Sequence, residues 1–177
     1  MPCAGADGFL VMRRAHAEAL GLPCASILAT IERHNAFPDD PVQWRGGWAM
    51  DADALWQQAA IGPDAIDVVQ TYDDYPVISL LQFEDLGFCV KDAGADFIRR
   101  NEFGPGGNFP HNTGGGQLSC GQAGAAGGFL GLVEAVRQLT GRADGRGVAG
   151  ARHALVSGFG MINYDRGICT AAAVLGT

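Results

Sequence analysis

The clearest pattern in the chain is a run of apolar residues at helical spacing near the C-terminal end. These residues are Phe129, Leu132, Val133, Val136 and Leu139. Positions three and four residues apart share one face of an α-helix, so the pattern predicts an amphipathic helix with a buried apolar face. Gly141 follows shortly afterwards and is expected to end the helix.

Three more helices and five strands are predicted from the remaining patterns. Helix signals occur in the stretch that ends at residue 20, in residues 51–60 with Asp51 as N-cap, and in residues 76–86 with Pro76 in the first turn. Apolar runs of strand length occupy residues 8–12, 26–31, 66–69, 154–158 and 168–175, and residues 34–48 have the composition of a loop. Strands that alternate with helices predict an α/β fold, and the last two strands predict a C-terminal β-hairpin in a mixed sheet.

Composition and charge exclude several classes of protein. The chain has 177 residues, of which 47% are hydrophobic and 18% are charged, so we expect one folded domain spanning residues 1–177. Twelve Lys and Arg against 19 Asp and Glu leave a net charge of −7, which excludes a basic nucleic-acid-binding protein. No apolar window is long enough to span a membrane, and the N-terminus does not resemble a secretory signal, so a cytoplasmic location is expected.

The five cysteines are scattered along the chain without a Cys-x-x-Cys pair. This spacing predicts neither a disulfide framework nor a structural zinc site. No two histidines have metal-ligand spacing, so no metal is predicted. Cys169 lies well inside the last predicted strand and is expected in the core.

Glycine is concentrated in one region, because 11 of the 27 glycines fall within the 28 residues 104–131. Within it, residues 112–124 lead into the predicted amphipathic helix. Backbone amides freed by glycine at a helix start can receive an anion, a carbonyl oxygen or an oxyanion. The segment has neither the Gly-Lys-Ser/Thr of a Walker loop nor the preceding strand of a dinucleotide site. A tightly packed loop without a ligand is the alternative.

The sequence NTGGGQLSCGQAGAAGGFLGLVEAVRQLTG, which begins at Asn112, resembles the glycine-rich signature near the C-terminus of the thiolase superfamily. Three other segments agree with that family in order and spacing: CAGADG at residues 3–8, DVVQTYDDY at residues 67–75 followed by SLLQFEDLGFC, and residues 158–175. The resemblance implies the C-terminal half of a thiolase-like fold, of the βαβαβαββ type. Residues 1–24 would then correspond to the closing strand and helix of an N-terminal half.

The resemblance implies an acyl-CoA thioester as substrate, with no covalently bound cofactor. Its members form or cleave a carbon–carbon bond next to the thioester carbonyl, and their nucleophilic cysteine lies in the N-terminal half. The chain is therefore expected to act as a homo-oligomer or together with such a half. Gln122 stands where the family has a histidine and would polarise the thioester oxygen. The residues implied to support or bind the substrate are Asn112, His111, Gly114, Gly115 and Gly116.

The motif Tyr-Asp-x-Tyr-Pro at residues 72–76, with NTGGGQLS, is similar to the lipid-transfer-protein-like branch of the superfamily. That branch includes aldolases that cleave β-hydroxyacyl-CoA side chains, some with an OB-fold acyl-CoA-binding partner. The similarity implies acid–base roles for Tyr72, after a strand, and Tyr164, at the tip of the final hairpin. Tyr75 is implied to bind substrate.

Three functions therefore remain open from the sequence. The chain is part of an acyltransferase completed by another polypeptide, or a retro-aldolase that uses tyrosines, or a non-catalytic acyl-CoA-binding or scaffold subunit.

Overall fold

The computed structural model describes residues 3–40, 43–121, 128–163 and 166–177 and, except at residues 162, 163 and 166, their side chains. Two predicted site residues, Gln122 and Tyr164, lie outside the described residues. The helices are α1 Arg14–Ala19, α2 Trp48–Ala59, α3 Pro76–Asp85, α4 Gly94–Arg100, α5 Gly116–Cys120 and α6 Leu130–Leu139, with a 3₁₀ turn at Pro63–Ala65. The strands are β1 Ser26–His34, β2 Val68–Gln70, β3 His153–Asn163 and β4 Arg166–Gly176.

The four strands form one mixed sheet in the order β1-β4-β3-β2. Strand β4 is antiparallel to β1 and β3, whereas β2 is parallel to β3. A further parallel bridge joins Val69 of β2 to His111, so the segment before residue 112 lies beside β2. The predicted α/β class, mixed sheet and C-terminal hairpin are confirmed.

Two apolar clusters pack on opposite faces of the sheet. Successive residues of a strand point to opposite faces, so Leu155 belongs to one cluster and its neighbour Ala154 to the other. The first cluster includes Trp48 of α2, which is fully buried and donates its Nε1–H to the carbonyl of Ala171 at 2.9 Å. The second includes Leu139 of α6. The sheet is therefore covered by α2 on one side and α6 on the other.

Helices α3 and α6 agree closely with their predicted ranges. Helix α3 begins at Pro76, and α6 buries Val133 and Leu139 on the predicted face. Helices α4 and α5 were not predicted, because they are only 7 and 5 residues long and each begins at a glycine, which has low helix propensity. None of the helices in the described part of the chain combines the length and apolar character that crossing a membrane requires.

The predicted strand at residues 8–12 is wrong. This segment forms no strand, and its Leu10 and Val11 are 83% and 77% exposed. An apolar run becomes a strand only where a neighbouring strand accepts and donates its backbone hydrogen bonds. No strand of the described chain pairs with this segment.

Two smaller predictions are also corrected. Helix α2 begins at Trp48, so Asp51 lies in its first turn rather than at the N-cap, and its carboxylate accepts hydrogen bonds from Arg33 at 2.6 and 2.8 Å. Burial of the Trp48 ring explains the earlier start, since a helical turn holds the indole in the core. Cys169 is partly exposed instead of buried, with its sulfur 3.7 Å from Nε2 of His34.

Candidate active site

A cavity of about 710 Å³ opens at the carboxyl ends of β2 and β3. Its walls come from the loop after β2, the glycine-rich loop that precedes α5, the first turns of α6 and the second half of β3. Asp7 adds a carboxylate from the N-terminal segment. The carboxyl ends of parallel strands are a common ligand-binding position in α/β folds, because the loops there are free to vary.

Asn112 joins the two loops at the base of this cavity. Its backbone N–H donates to the carbonyl of Val69 at 2.9 Å, which continues the sheet. Its side chain then bonds the backbone of Thr71 twice: Oδ1 accepts from N–H at 2.9 Å, and Nδ2 donates to the carbonyl at 3.1 Å. The residue lies in the left-handed region at φ 43, which asparagine tolerates better than most residues. The side-chain amide of Asn112 therefore holds the shape of the cavity.

Asp73 and Gly116 meet in the cavity wall. The buried carboxylate of Asp73 accepts a hydrogen bond from the backbone N–H of Gln117 at 2.7 Å, in the first turn of α5. Gly116 has φ +58, and a Cβ on it would lie only 2.0 Å from Oδ2 of Asp73. Glycine is required here both for its backbone conformation and for this close approach.

An ion pair between the buried Glu134 and the partly exposed Arg146 supports the glycine loop from the side of α6. Oε1 of Glu134 accepts hydrogen bonds from Thr113 at 2.8 Å and Gln138 at 2.9 Å, and Oε2 accepts from Arg146 at 2.8 Å. Burial favours the neutral acid, but these donors outweigh it and hold the pKa of Glu134 below its ordinary value. A Cβ on Gly114 would touch the Glu134 carboxylate at 3.2 Å, so the loop packs directly on this pair.

Tyr72 lines the cavity and carries a positioned hydroxyl. That hydroxyl donates to Oδ2 of Asp74 at 2.5 Å, and the ring packs against Phe159 of β3 with centroids 5.8 Å apart. The phenol is therefore held by an acidic partner on one side and an aromatic ring on the other.

His111 points away from the cavity, although Asn112 beside it lines the wall. Its ring packs edge-on against Phe83 at 4.9 Å between centroids. Burial lowers the pKa of His111 to about 4, so the imidazole is neutral at pH 7. Because the Thr71 hydroxyl donates to Ser79 at 2.9 Å, Nε2–H of His111 donates to Thr71 at 2.7 Å. His111 is thus placed to support the loop from behind.

Residues 33–175 match the family described as thiolase C-terminal domain-like. The chain belongs to this family. This match confirms the predicted resemblance for the C-terminal domain. The resemblance was based on the glycine-rich loop, the strand and loop around Tyr72, and the final hairpin.

Several relatives of this thiolase C-terminal domain are lyases or aldolases. The 17-hydroxy-3-oxo-4-pregnene-20-carboxyl-CoA lyase of Mycobacterium tuberculosis is 38% identical over 122 residues, which cover 69% of this chain and 29% of the relative. The steroid side-chain-cleaving aldolase of Thermomonospora curvata is 39% identical over 87 residues, 49% of this chain and 22% of the relative. The solved structure of the Ltp2-ChsH2(DUF35) aldolase superposes with a TM-score of 0.73 at 26% identity, covering 86% of this chain and 39% of that chain. The chain therefore spans less than a third of the length of these two curated relatives.

Of the remaining predicted site residues of this domain, some line the cavity and others do not. Gly114 and Gly116 line the cavity, whereas Gly115 does not and serves as N-cap of α5 with φ 101. Tyr75 precedes α3, is 66% exposed and is not among the cavity residues. Gln122 and Tyr164 lie outside the described residues, so their roles stay predictions.

Sequence reasoning missed several residues of the cavity wall, namely Asp7, Gln70, Asp73, Gln117, Cys120, Glu134, Arg137 and Ser157. One signal was present in the helix pattern. Glu134 and Gln138 are polar and four residues apart on a helix whose neighbouring face is apolar, and both are buried.

Arg137 and Arg146 are the positively charged residues that line the cavity, and they could contact phosphate groups of a ligand. Three residues with metal-binding atoms close to one another, Glu32, His34 and Cys169, lie outside the cavity.

Proposed function

We propose that this chain is the C-terminal part of a lyase that cleaves β-hydroxyacyl-CoA thioesters by a retro-aldol reaction. The observation that carries the proposal is Tyr72, a residue of the cavity wall whose hydroxyl donates a hydrogen bond to Oδ2 of Asp74 at 2.5 Å. The names of the Mycobacterium and Thermomonospora relatives, a carboxyl-CoA lyase and a side-chain-cleaving aldolase, support the same reaction class.

The reaction requires one proton acceptor and one proton donor. As the β-hydroxyl loses its proton, the β-carbon becomes a ketone or aldehyde carbonyl, and the electrons of the broken Cα–Cβ bond form the enolate of the thioester. Protonation of that enolate at Cα yields the shortened acyl-CoA, so atoms and charge balance without an oxidant. Tyr72 would take the substrate's proton while its own proton passes to Asp74, and Tyr164 is the predicted donor to the enolate.

Stabilisation of the enolate oxygen falls to hydrogen-bond donors in the cavity. Gln122 is the predicted donor to this oxygen, and Gly114 and Gly116, which line the cavity, would contact the acyl chain through their backbone. Asn112 contributes by keeping the two loops together, since both polar atoms of its amide bond Thr71. Arg137 and Arg146 would meet phosphate groups of coenzyme A.

Other chains are part of this proposal. The exposed apolar segment at residues 8–12 would be covered by an N-terminal thiolase-like half or by a second copy of the chain. An OB-fold acyl-CoA-binding partner is the further expected component, and a cytoplasmic location fits a coenzyme A substrate.

A second candidate, acyl transfer, is favoured by one specific observation. Cys120 is exposed at the end of α5 and lines the cavity. In that reaction the Cys120 thiolate would attack the thioester carbonyl, and the thiol of coenzyme A would leave. A covalent acyl-cysteine would then accumulate, which the retro-aldol reaction does not form.

The test compares Tyr72→Phe with Tyr75→Phe in the chain, produced alone and by co-expression with the coding sequences that flank its gene. Each sample is mixed with a β-hydroxyacyl-CoA, and release of the carbonyl fragment and the shortened acyl-CoA is followed. We expect Tyr72→Phe to lower turnover by about 100-fold or more, in the range of acid–base catalysis. Tyr75→Phe should leave turnover within about twofold, since Tyr75 is exposed and is not a lining residue of the cavity.

The opposite results would decide for the alternatives. A mass increase equal to the acyl group, absent from Cys120→Ser, supports acyl transfer and overturns the aldol proposal. Tight binding of acyl-CoA without turnover in either preparation supports the non-catalytic binding subunit.

A further inference from the structure

Three side chains with metal-binding atoms lie close together at the sheet edge formed by β1. They are Glu32 and His34 of β1 and Cys169 of β4, and their ligand atoms all lie within 4.8 Å of one another. Nε2 of His34 is 2.5 Å from Oε1 of Glu32 and 3.7 Å from Sγ of Cys169. None of the three lines the cavity.

The strand register explains why these side chains meet. Glu32 and His34 are two residues apart, so they share one face of β1. His34 pairs directly with Cys169 across the β1–β4 ladder. The backbone bond from Asn35 N–H to the carbonyl of Ile168, at 2.7 Å, continues this pairing beyond the end of β1. Two paired strands therefore position the imidazole and the thiol.

The separations fit tetrahedral coordination. With Zn–N near 2.05 Å and Zn–S near 2.3 Å, tetrahedral geometry separates the nitrogen and sulfur ligands by about 3.6 Å. The observed distance between Nε2 of His34 and Sγ of Cys169 is 3.7 Å. Nitrogen and oxygen ligands would stand about 3.3 Å apart, so the Glu32 carboxylate would move outward by roughly 1 Å. Its side chain is 65% exposed and has room to do so.

We propose that Glu32, His34 and Cys169 bind one Zn²⁺ ion. A thiolate, an imidazole and a carboxylate together favour zinc over the oxygen-preferring Mg²⁺ and Ca²⁺. Three protein ligands leave the fourth position for water or an external ligand. The bound ion would link the edge strand β1 to β4, and the site is independent of the proposed lyase activity.

The primary experiment titrates the chelator-treated chain with Zn²⁺ by calorimetry. We expect one ion per chain, with affinity lowered at least about tenfold in both Cys169→Ser and His34→Gln. Cys3→Ser and His16→Gln remove an exposed thiol and an exposed imidazole elsewhere and should bind as the unmodified chain does. Zn²⁺ should also raise the thermal midpoint of the unmodified chain but not of Cys169→Ser.

Replacing Zn²⁺ with Co²⁺ tests for a cysteine ligand in the unmodified chain itself, so the result does not depend on whether Cys169→Ser folds. A tetrahedral Co²⁺–thiolate site absorbs through sulfur-to-metal charge transfer in the near ultraviolet, and we expect this band in the unmodified chain and in Cys3→Ser. Its absence from the unmodified chain, or its loss in Cys3→Ser, would overturn the proposal. The proposal would also be overturned if folded Cys169→Ser bound Zn²⁺ with the same affinity as the unmodified chain. No acyl-CoA is present, so the outcome is separate from the test of the lyase.

Discussion

His111 and Asn112 are adjacent in the chain but belong to two different regions. One is an apolar aromatic cluster, and the other is a cavity wall held by hydrogen bonds. The His111 ring joins an aromatic cluster around Phe83, with Phe97, Phe103 and Phe109. The Asn112 side chain lines the cavity and bonds a backbone segment. The two regions share one backbone junction beside β2.

The comparison shows two ways of holding that junction. The aromatic cluster holds it by non-directional burial, which depends on volume and apolar area. The cavity wall holds it through particular atoms: the Asp73 carboxylate, the Asn112 amide and the missing Cβ of Gly116. Substitutions on the first side should therefore reduce stability in proportion to lost volume, whereas those on the second should also change ligand binding.

The largest effect is expected for Phe83→Ala, at the centre of the aromatic cluster. Phe83 is almost fully buried and contacts four rings at centroid distances of 4.9–6.1 Å. Its removal should lower the free energy of unfolding by about 3–5 kcal/mol. Denaturant unfolding measures this, with Phe9→Ala as control because Phe9 is partly exposed. A loss no greater than that of Phe9→Ala would contradict the assigned role of the cluster.

The next effect is expected for Gly116→Ala on the cavity side. The new Cβ meets Oδ2 of Asp73 at 2.0 Å, and φ is +58, so strain and overlap should together cost about 2–4 kcal/mol. Gly141→Ala is the matched control, because φ there is +69 but the space around the Cβ is open. It should cost only about 1 kcal/mol. Equal losses measured by denaturant unfolding would show that the overlap with Asp73 has no effect.

A smaller, pH-dependent effect is expected for His111→Gln at the junction itself. The pKa of His111 is lowered from 6.5 to about 4, so the unfolded chain binds a proton that the folded chain does not between these values. Stability should therefore fall as pH drops from about 6.5 to 4, by up to about 3 kcal/mol. His111→Gln keeps an N–H donor for Thr71 but has no imidazole to titrate. Its free energy of unfolding should therefore lack this fall between pH 6.5 and 4. Its stability, measured against pH, should approach that of the unmodified chain as the pH falls.

The control for this titration is His16→Gln, which changes an exposed histidine. It should retain the full pH slope of the unmodified chain. If His111→Gln has the same slope as His16→Gln, the buried ring is not the source of the acid sensitivity.

The predictable parts of the molecule are those in which one segment carries its own signal. Helix α6 has a complete apolar face, helix α3 begins with proline, and β3 and β4 are two apolar runs near each other in sequence. The association of Tyr72 with the glycine-rich loop was predicted from a resemblance, and in the structure Tyr72 lines the same cavity as Gly114 and Gly116.

The unpredicted parts depend on atoms distant in sequence. Helix α5 starts at Gly116 without a cap of its own, and the Asp73 carboxylate, 44 residues away, accepts its Gln117 N–H. The apolar run at residues 8–12 shows the converse, because a strong local pattern forms no strand where no partner strand lies beside it.

The α/β class, the amphipathic helix, the closing hairpin and the position of the glycine-rich loop can all be predicted from the amino-acid sequence, since periodicity and backbone permissiveness are local properties. The folded arrangement is needed to show that His111 packs in an aromatic cluster while its neighbour Asn112 lines the cavity. It is also needed to show that Asp73 meets Gly116 and that Cys169 meets His34. These outcomes depend on strand register and on contacts between residues distant in sequence, 28 residues apart for Phe83 and His111 and 135 for His34 and Cys169. Such contacts leave no trace in the pattern of either segment alone.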